Sequence, residues 1–266
     1  MSARFDIHQH YGALIGVPGS SGGWAPPEQD CKVRLAFMDS FGISQAALMP
    51  GHSYRAPNGL ADIRAINDGL HAYAQLAPAR FAAVFGTLDP RHGAANYAEV
   101  EHLHARGFRG LSWHHRMQGL PMDHAAMFGI VERMDACGMV VLAHCYASGD
   151  FESPWRMRRL AQRFPRVQFV ALDAMTSPEN VDQLIGLGED CANVTIDLTS
   201  SLTGPRGVVR AVARLGAERL VFGSNCYSMS RVARISALDV VEEAGLGEAE
   251  RAMILGGNAR RILGIV

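Results

Sequence analysis

His8 and His10 close the first apolar run of the chain, separated by one glutamine. Side chains of a β-strand alternate between its faces, so residues i and i+2 project the same way, about 7 Å apart along the strand. Two imidazoles at that spacing can grip one metal ion, and a bound divalent ion is a Lewis acid for a carbonyl or carboxylate oxygen. Comparable residues end later apolar runs. His144 follows Met139 to Ala143, Asp173 follows Phe169 to Leu172, Asp197 lies in Asn193 to Leu198, and the last run leads into Ser224, Asn225 and Cys226.

These residues need a frame that brings strand ends together. Eight short apolar runs recur along the chain: Ala3 to His8, Gln45 to Pro50, Phe81 to Leu88, Gly107 to Trp113, Met139 to His144, Val167 to Asp173, Asn193 to Leu198 and Arg219 to Ser224. Stretches of helical character lie between them, at Gly59 to Leu76, Asn96 to Arg106, Asp123 to Ala136, Pro154 to Phe164 and Ser177 to Leu187. Ser153-Pro154 and Ser177-Pro178 each pair a capping residue with proline at the first helical position. Apolar runs alternating with amphipathic segments indicate parallel strands buried on both faces. Eight such units in 266 residues predict a single (β/α)₈ TIM barrel of the α/β class, one domain over 1–266, with its active site at the C-terminal ends of the strands. No glycine-rich phosphate fingerprint follows the first run, which argues against a dinucleotide-binding sheet. Tyr11 to Pro27, with five glycines and three prolines, reads as a loop over the end of the first strand.

Composition narrows the partners. With 25 basic and 26 acidic side chains the net charge is -1, which leaves no electrostatic footprint for nucleic acid or an anionic membrane. There is no apolar run of spanning length and no secretory leader pattern, so the expected compartment is cytoplasmic. Five cysteines without CxxC spacing do not suggest a disulfide framework in a chain this large. A homo-oligomer is neither required nor excluded.

The ordered series of strand-end motifs resembles the amidohydrolase superfamily over nearly the whole chain. It is most similar to the amidohydrolase-related branch that includes pyrone-dicarboxylate lactonase and the aminocarboxymuconate-semialdehyde and resorcylate decarboxylases. The resemblance is carried by Asp6-Ile7-His8-Gln9-His10, Arg80-Phe81 through Leu88-Asp89-Pro90, Gly107-Phe108-Arg109-Gly110-Leu111 and Val141-Leu142-Ala143-His144. It continues in Asn193-Val194-Thr195-Ile196-Asp197-Leu198, Phe222-Gly223-Ser224-Asn225 and Gly257-Asn258-Ala259-Arg260-Arg261. It implies a divalent metal ion, zinc, manganese or iron, held by His8, His10 and His144. Two departures stand out. Where the family often has a strand-6 histidine this chain has Asp173, whose carboxylate can serve as fourth ligand. Where the family has a water-activating strand-8 aspartate this chain has Asn225, a neutral amide that can neither take a proton nor add charge, which weighs against ordinary hydrolysis. The family's binuclear variant, bridged by a carboxylated strand-4 lysine, does not apply, because that strand reads Leu111-Ser112-Trp113-His114 and the sole lysine is Lys32. A second metal would need Asp173, Asp197, His114 or His52, a set closer to an iron site.

The resulting expectation is a metal-dependent enzyme that hydrolyses or decarboxylates a small organic substrate, with Asp173, Asn225 and His114 as catalytic candidates. Tyr11, Trp24, Trp113 and Tyr227 would wall an apolar pocket, and Arg116 could pair with a substrate carboxylate. Two alternatives remain: a nonheme iron, even diiron, monooxygenase on the same fold, and a non-catalytic small-molecule binder. Asp173 and Asp197 are each equally suited to holding a ligand histidine in its tautomer from behind. His115, His52 and His92 read as structural or solvent-facing, and Cys145 and Cys226 as packing residues.

Overall fold

The computed structural model describes residues 3–12, 25–51, 56–146, 150–227 and 234–265. Trp24 and His52 lie outside the described residues. The strands are β1 (Arg4–Tyr11), β2 (Ile43–Pro50), β3 (Phe81–Gly86), β4 (Gly110–Trp113), β5 (Val140–His144), β6 (Phe169–Leu172), β7 (Val194–Asp197) and β8 (Leu220–Val221). The helices are α1 (Pro27–Ser40), α2 (Leu60–Ala74), α3 (Ala95–Ala105), α4 (His115–Gln118), α5 (Ala125–Ala136), α6 (Pro154–Arg163), α7 (Pro178–Asp190), α8 (Pro205–Leu215), α9 (Ser236–Glu243), α10 (Glu248–Ala252) and α11 (Asn258–Leu263). Every expected apolar run holds a strand and every expected helical stretch a helix. Ser153 and Ser177 occupy N-cap positions, and Ser177 Oγ accepts from the Asn180 N–H at 3.2 Å.

The eight strands pair in parallel in chain order, the TIM-barrel arrangement. The ring closes at the β8–β1 seam, where the Ile7 N–H donates to the Phe222 carbonyl at 3.1 Å and the His10 N–H to the Cys226 carbonyl at 2.8 Å. Two apolar layers result. Phe5, Ile7, Met49, Phe85, Leu142 and Leu172 fill the interior, floored by Ile262 and Leu263 of α11. A larger layer lies between strands and helices. Gly110 is obligatory for the strand spacing, since a Cβ there would stand 1.9 Å from the Val140 carbonyl oxygen. All five cysteines are free thiols. No helix among the described residues is long and apolar enough to cross a membrane.

An irregularity in β1 aims the site. Asp6 pairs with Ala46 and Gln9 with Leu48, so three steps on β1 face two on β2, which is a β-bulge. Phe5 and Ile7 point into the interior, and strict alternation would turn His8 and His10 away from it. The extra residue resets the phase. The buried Asp6 carboxylate stabilises the bulge, accepting from the His8 N–H (3.1 Å), Gln9 Nε2 (2.8 Å), the Ser224 N–H (2.9 Å) and Ser224 Oγ (2.5 Å). Across the same seam the buried Arg34 guanidinium donates to the His10 carbonyl (2.8 Å), Gln9 Oε1 (3.2 Å) and Tyr73 Oη (3.0 Å).

Candidate metal centre

His8, His10 and His144 meet at the C-terminal mouth of the barrel. All three are buried, and one ring nitrogen of each lies within 4.8 Å of those of the others. Their second nitrogens define their tautomers. His8 Nδ1 lies 2.8 Å from Asp197 Oδ2, His10 Nδ1 2.7 Å from the Pro50 carbonyl, and His144 Nδ1 2.9 Å from the Trp113 carbonyl. Each of those oxygens can only accept, so each Nδ1 carries a hydrogen, and Nε2 is the nitrogen through which each ring, when neutral, would bind a metal. His8 Nε2 and His10 Nε2 stand 2.8 Å apart. Two facing lone pairs at that distance repel unless a proton or a cation lies between them. This donor set fits a divalent ion: three imidazole nitrogens, each ring held from behind by an oxygen.

The electrostatics differ among the three rings. Burial alone would lower the basicity of His8, but the Asp197 hydrogen bond and the nearby Asp197, Asp173 and Asp6 charges hold it above its ordinary value. Burial, with His8 and His144 alongside, keeps His10 well below the usual imidazole range. Burial and the neighbouring His114 push His144 down to about 3. His10 and His144 are therefore neutral at neutral pH, as metal ligands must be. Asp197 stands behind His8, its second oxygen taken by the Thr199 N–H (3.1 Å) and Oγ1 (2.9 Å). Gly223 permits this contact, because a Cβ there would fall 2.4 Å from Asp197 Oδ1 and 2.6 Å from His8 Cβ.

Asp173 sits beside His144, with Oδ2 3.6 Å from His144 Nε2. Ser200 Oγ donates to its Oδ1 (2.8 Å), Tyr146 Oη to its Oδ2 (3.0 Å), and Asn225 Nδ2 lies 3.4 Å from both oxygens. Burial would raise its pKa, but the imidazoles of His8 and His144 and the Ser200 and Tyr146 hydroxyls outweigh that and hold it below the usual carboxylate value. Asp173, Ser200 and Asn225 are the three non-glycine residues with positive φ among the described residues, at 50°, 58° and 55°. Such conformations cost energy and persist where the surroundings enforce them, which is common at functional sites. Tyr227 stacks on His10 with centroids 4.4 Å apart. His114 stacks on His144 at 4.2 Å, and burial lowers its pKa to about 4.

Other expected contacts fall elsewhere. Trp113 does not line the mouth: it is wholly buried in the outer layer, with Nε1 donating to the Leu88 carbonyl at 2.9 Å. Strand alternation explains this, since its Cα is out of phase with the inward positions of β4. Tyr11 is likewise out of phase with His10 and stacks on Tyr73 of α2 at 3.8 Å, so its ring joins the outer layer instead of a pocket wall. Arg116 is exposed, and its backbone N–H donates to Glu152 Oε1 at 2.8 Å. Tyr146, Ser200 and Glu152 belong to the site without having been singled out in the sequence. Tyr146 was within reach, two residues after His144. Glu152 lies in a loop with no periodic signal.

The amidohydrolase family model matches residues 5–265. No curated protein sequence matches the chain. Among solved structures, 5-carboxyvanillate decarboxylase from Sphingomonas paucimobilis superposes with a TM-score of 0.72 at 17% identity, covering 100% of both chains. The 2,6-dihydroxybenzoate decarboxylase from Rhizobium gives 0.72 at 17% identity over 99% of each chain. A dihydroxybenzoic acid decarboxylase from Polaromonas sp. JS666, with bound manganese and the inhibitor 2-nitroresorcinol, gives 0.70 at 19% identity over 99% of this chain and 97% of its own.

Proposed function

The chain belongs to the amidohydrolase family, and on that premise we propose that it is a metal-dependent enzyme that decarboxylates or hydrolyses a small carboxylate-bearing aromatic substrate. The observation that carries this reading is the convergence of the His8, His10 and His144 ring nitrogens. Zinc, manganese or iron bound there would supply a Lewis acid that polarises a substrate oxygen. The protein's own groups do the rest. Asp197 orients His8, and the Pro50 and Trp113 carbonyls orient His10 and His144. In this reading Asp173, whose Oδ2 lies 3.6 Å from His144 Nε2, would serve as fourth ligand and, with His114, hold the protons that move during reaction.

Decarboxylation is the favoured branch. In Phe222-Gly223-Ser224-Asn225 an amide stands where the family resemblance implies a water-activating aspartate, and an amide cannot deprotonate water. The similar structures named above are decarboxylases of aromatic acids, and none of them is an oxygenase. The test is to incubate manganese-loaded protein separately with 2,6-dihydroxybenzoate, 5-carboxyvanillate and an aryl lactone, following carbon dioxide release and ring opening. Metal-dependent carbon dioxide release that disappears in the His8→Ala, His10→Ala variant is expected. Lactone opening without decarboxylation would move the assignment to a hydrolase, and tight metal binding with no turnover of any of the three would favour a binding protein.

A further inference from the structure

Arg34 of α1 is a buried cation whose donors reach the backs of two metal-ligand candidates. Its Nη2 donates to the His10 carbonyl at 2.8 Å, its Nη1 to Gln9 Oε1 at 3.2 Å and to the Cys226 carbonyl at 3.4 Å, and its Nε to Tyr73 Oη at 3.0 Å. From Gln9 the contacts continue along β1. Gln9 Nε2 donates to Asp6 Oδ2 at 2.8 Å, and Asp6 Oδ1 accepts the His8 N–H at 3.1 Å. The Gln9 amide has one orientation here, because a guanidinium only donates and a carboxylate only accepts. One guanidinium thus holds His10 through its carbonyl and His8 through two hydrogen-bonded side chains. The guanidinium is held in turn by α1 and α2, since Asp30 Oδ1 lies 3.5 Å from Nη2 and accepts from Tyr73 Oη.

An ion pair with Asp30 does not by itself account for a charge at this depth. Burying both partners costs about what their attraction returns, and apolar side chains of similar volume pack as well. The seam does account for it. β8 spans two residues, and beyond it the pairing of β1 with the last strand is a single bridge between Gln9 and Cys226. Arg34 places donors on both residues of that bridge and on His10 beside it. We infer that Arg34 is a positioning residue of the metal centre: it fixes the Gln9–His10 segment at the bulge, and with it the 2.8 Å approach of His8 Nε2 to His10 Nε2. The consequence for metal rests on the assignment of His8 and His10 as ligands. His144 is anchored elsewhere, by the Trp113 carbonyl of β4.

The test separates positioning from plain stability. Arg34→Met is made together with Asp30→Asn, so that no buried carboxylate is left without its cation. Gln9→Met, which leaves the guanidinium in place, breaks only the link to Asp6. Leu103→Ala, a buried residue of α3, controls for lost stability. Each protein is measured for melting temperature, for zinc affinity by competition with a chelating dye, and, metal-free at one fixed pH, for the ring-nitrogen signals of His8, His10 and His144. Both site variants are expected to move the His8 or His10 signals, leave those of His144 in place, and lose about 10- to 100-fold in zinc affinity. Leu103→Ala is expected to melt earlier with wild-type signals and affinity. Unmoved His8 and His10 signals, unchanged zinc affinity in the site variants, or an equal loss of affinity in Leu103→Ala would each overturn the inference. If the Arg34→Met protein does not fold, Gln9→Met decides alone. A wild type that binds no zinc would sink the assignment of the ligands, and the metal-free spectra would still decide whether Arg34 sets the histidine pair.

Discussion

At the scale of single residues, the site depends on what stands behind each imidazole. Asp197 holds His8 at 2.8 Å, and such an orienting partner is worth about 10- to 100-fold in metal affinity. Asp197→Asn should lower zinc affinity by that much, read by competition with a chelating dye; unchanged affinity would mean that the carboxylate does not orient His8. His115 poses a different question. It is wholly buried, neither ring nitrogen has a hydrogen-bond partner among the described residues, and burial, with His114 and His144 near, pushes its pKa down to about 3. The unfolded chain takes up a proton near pH 6.5 that the fold refuses until about 3, so His115 destabilises the protein progressively as pH falls through that window. His115→Leu should therefore lose less stability between pH 7 and pH 5, by about 2 kcal/mol, in denaturant titrations at the two values. An equal loss in both proteins would show that the ring is not buried in its neutral form.

At the scale of elements, the order of strands and helices was legible because each strand, buried on both faces, is a continuous apolar run. The pairing of His8 with His10 was legible from alternation. The bulge was not, since it is enforced by Asp6 reaching Ser224, 218 positions away, and no local pattern announces such a contact. The short β8 has the same origin, as its continuation meets β1 through single hydrogen bonds and side chains instead of a ladder. Alternation also contained the correction to Trp113 and Tyr11, both out of phase with the inward-facing residues of their strands. The strand-end packing at Gly223 offers a test. An alanine methyl would collide with Asp197, Thr199 and His8, and overpacking of this kind costs about 1–3 kcal/mol. Gly223→Ala should lower the melting temperature and weaken metal binding together; a loss of stability with full metal affinity would mean that β8 does not set the His8–Asp197 geometry.

At the scale of the whole molecule, the barrel sends the ends of its strands to one mouth, which is why residues as distant in sequence as His8, His144 and Asp173 become neighbours. The histidines were legible because they close apolar runs. Glu152 was not, because a loop residue is placed by tertiary contacts alone. Stability resides in the packed interior and the outer layer, so the mouth can lose its histidines while the fold persists. The most direct test is elemental analysis of wild-type and His8→Ala, His10→Ala protein after equilibration with zinc or manganese, with circular dichroism on the same samples. Bound metal in the wild type, loss of that metal in the variant and an unchanged spectrum are predicted; equal metal in both proteins, or none in the wild type, would contradict the account.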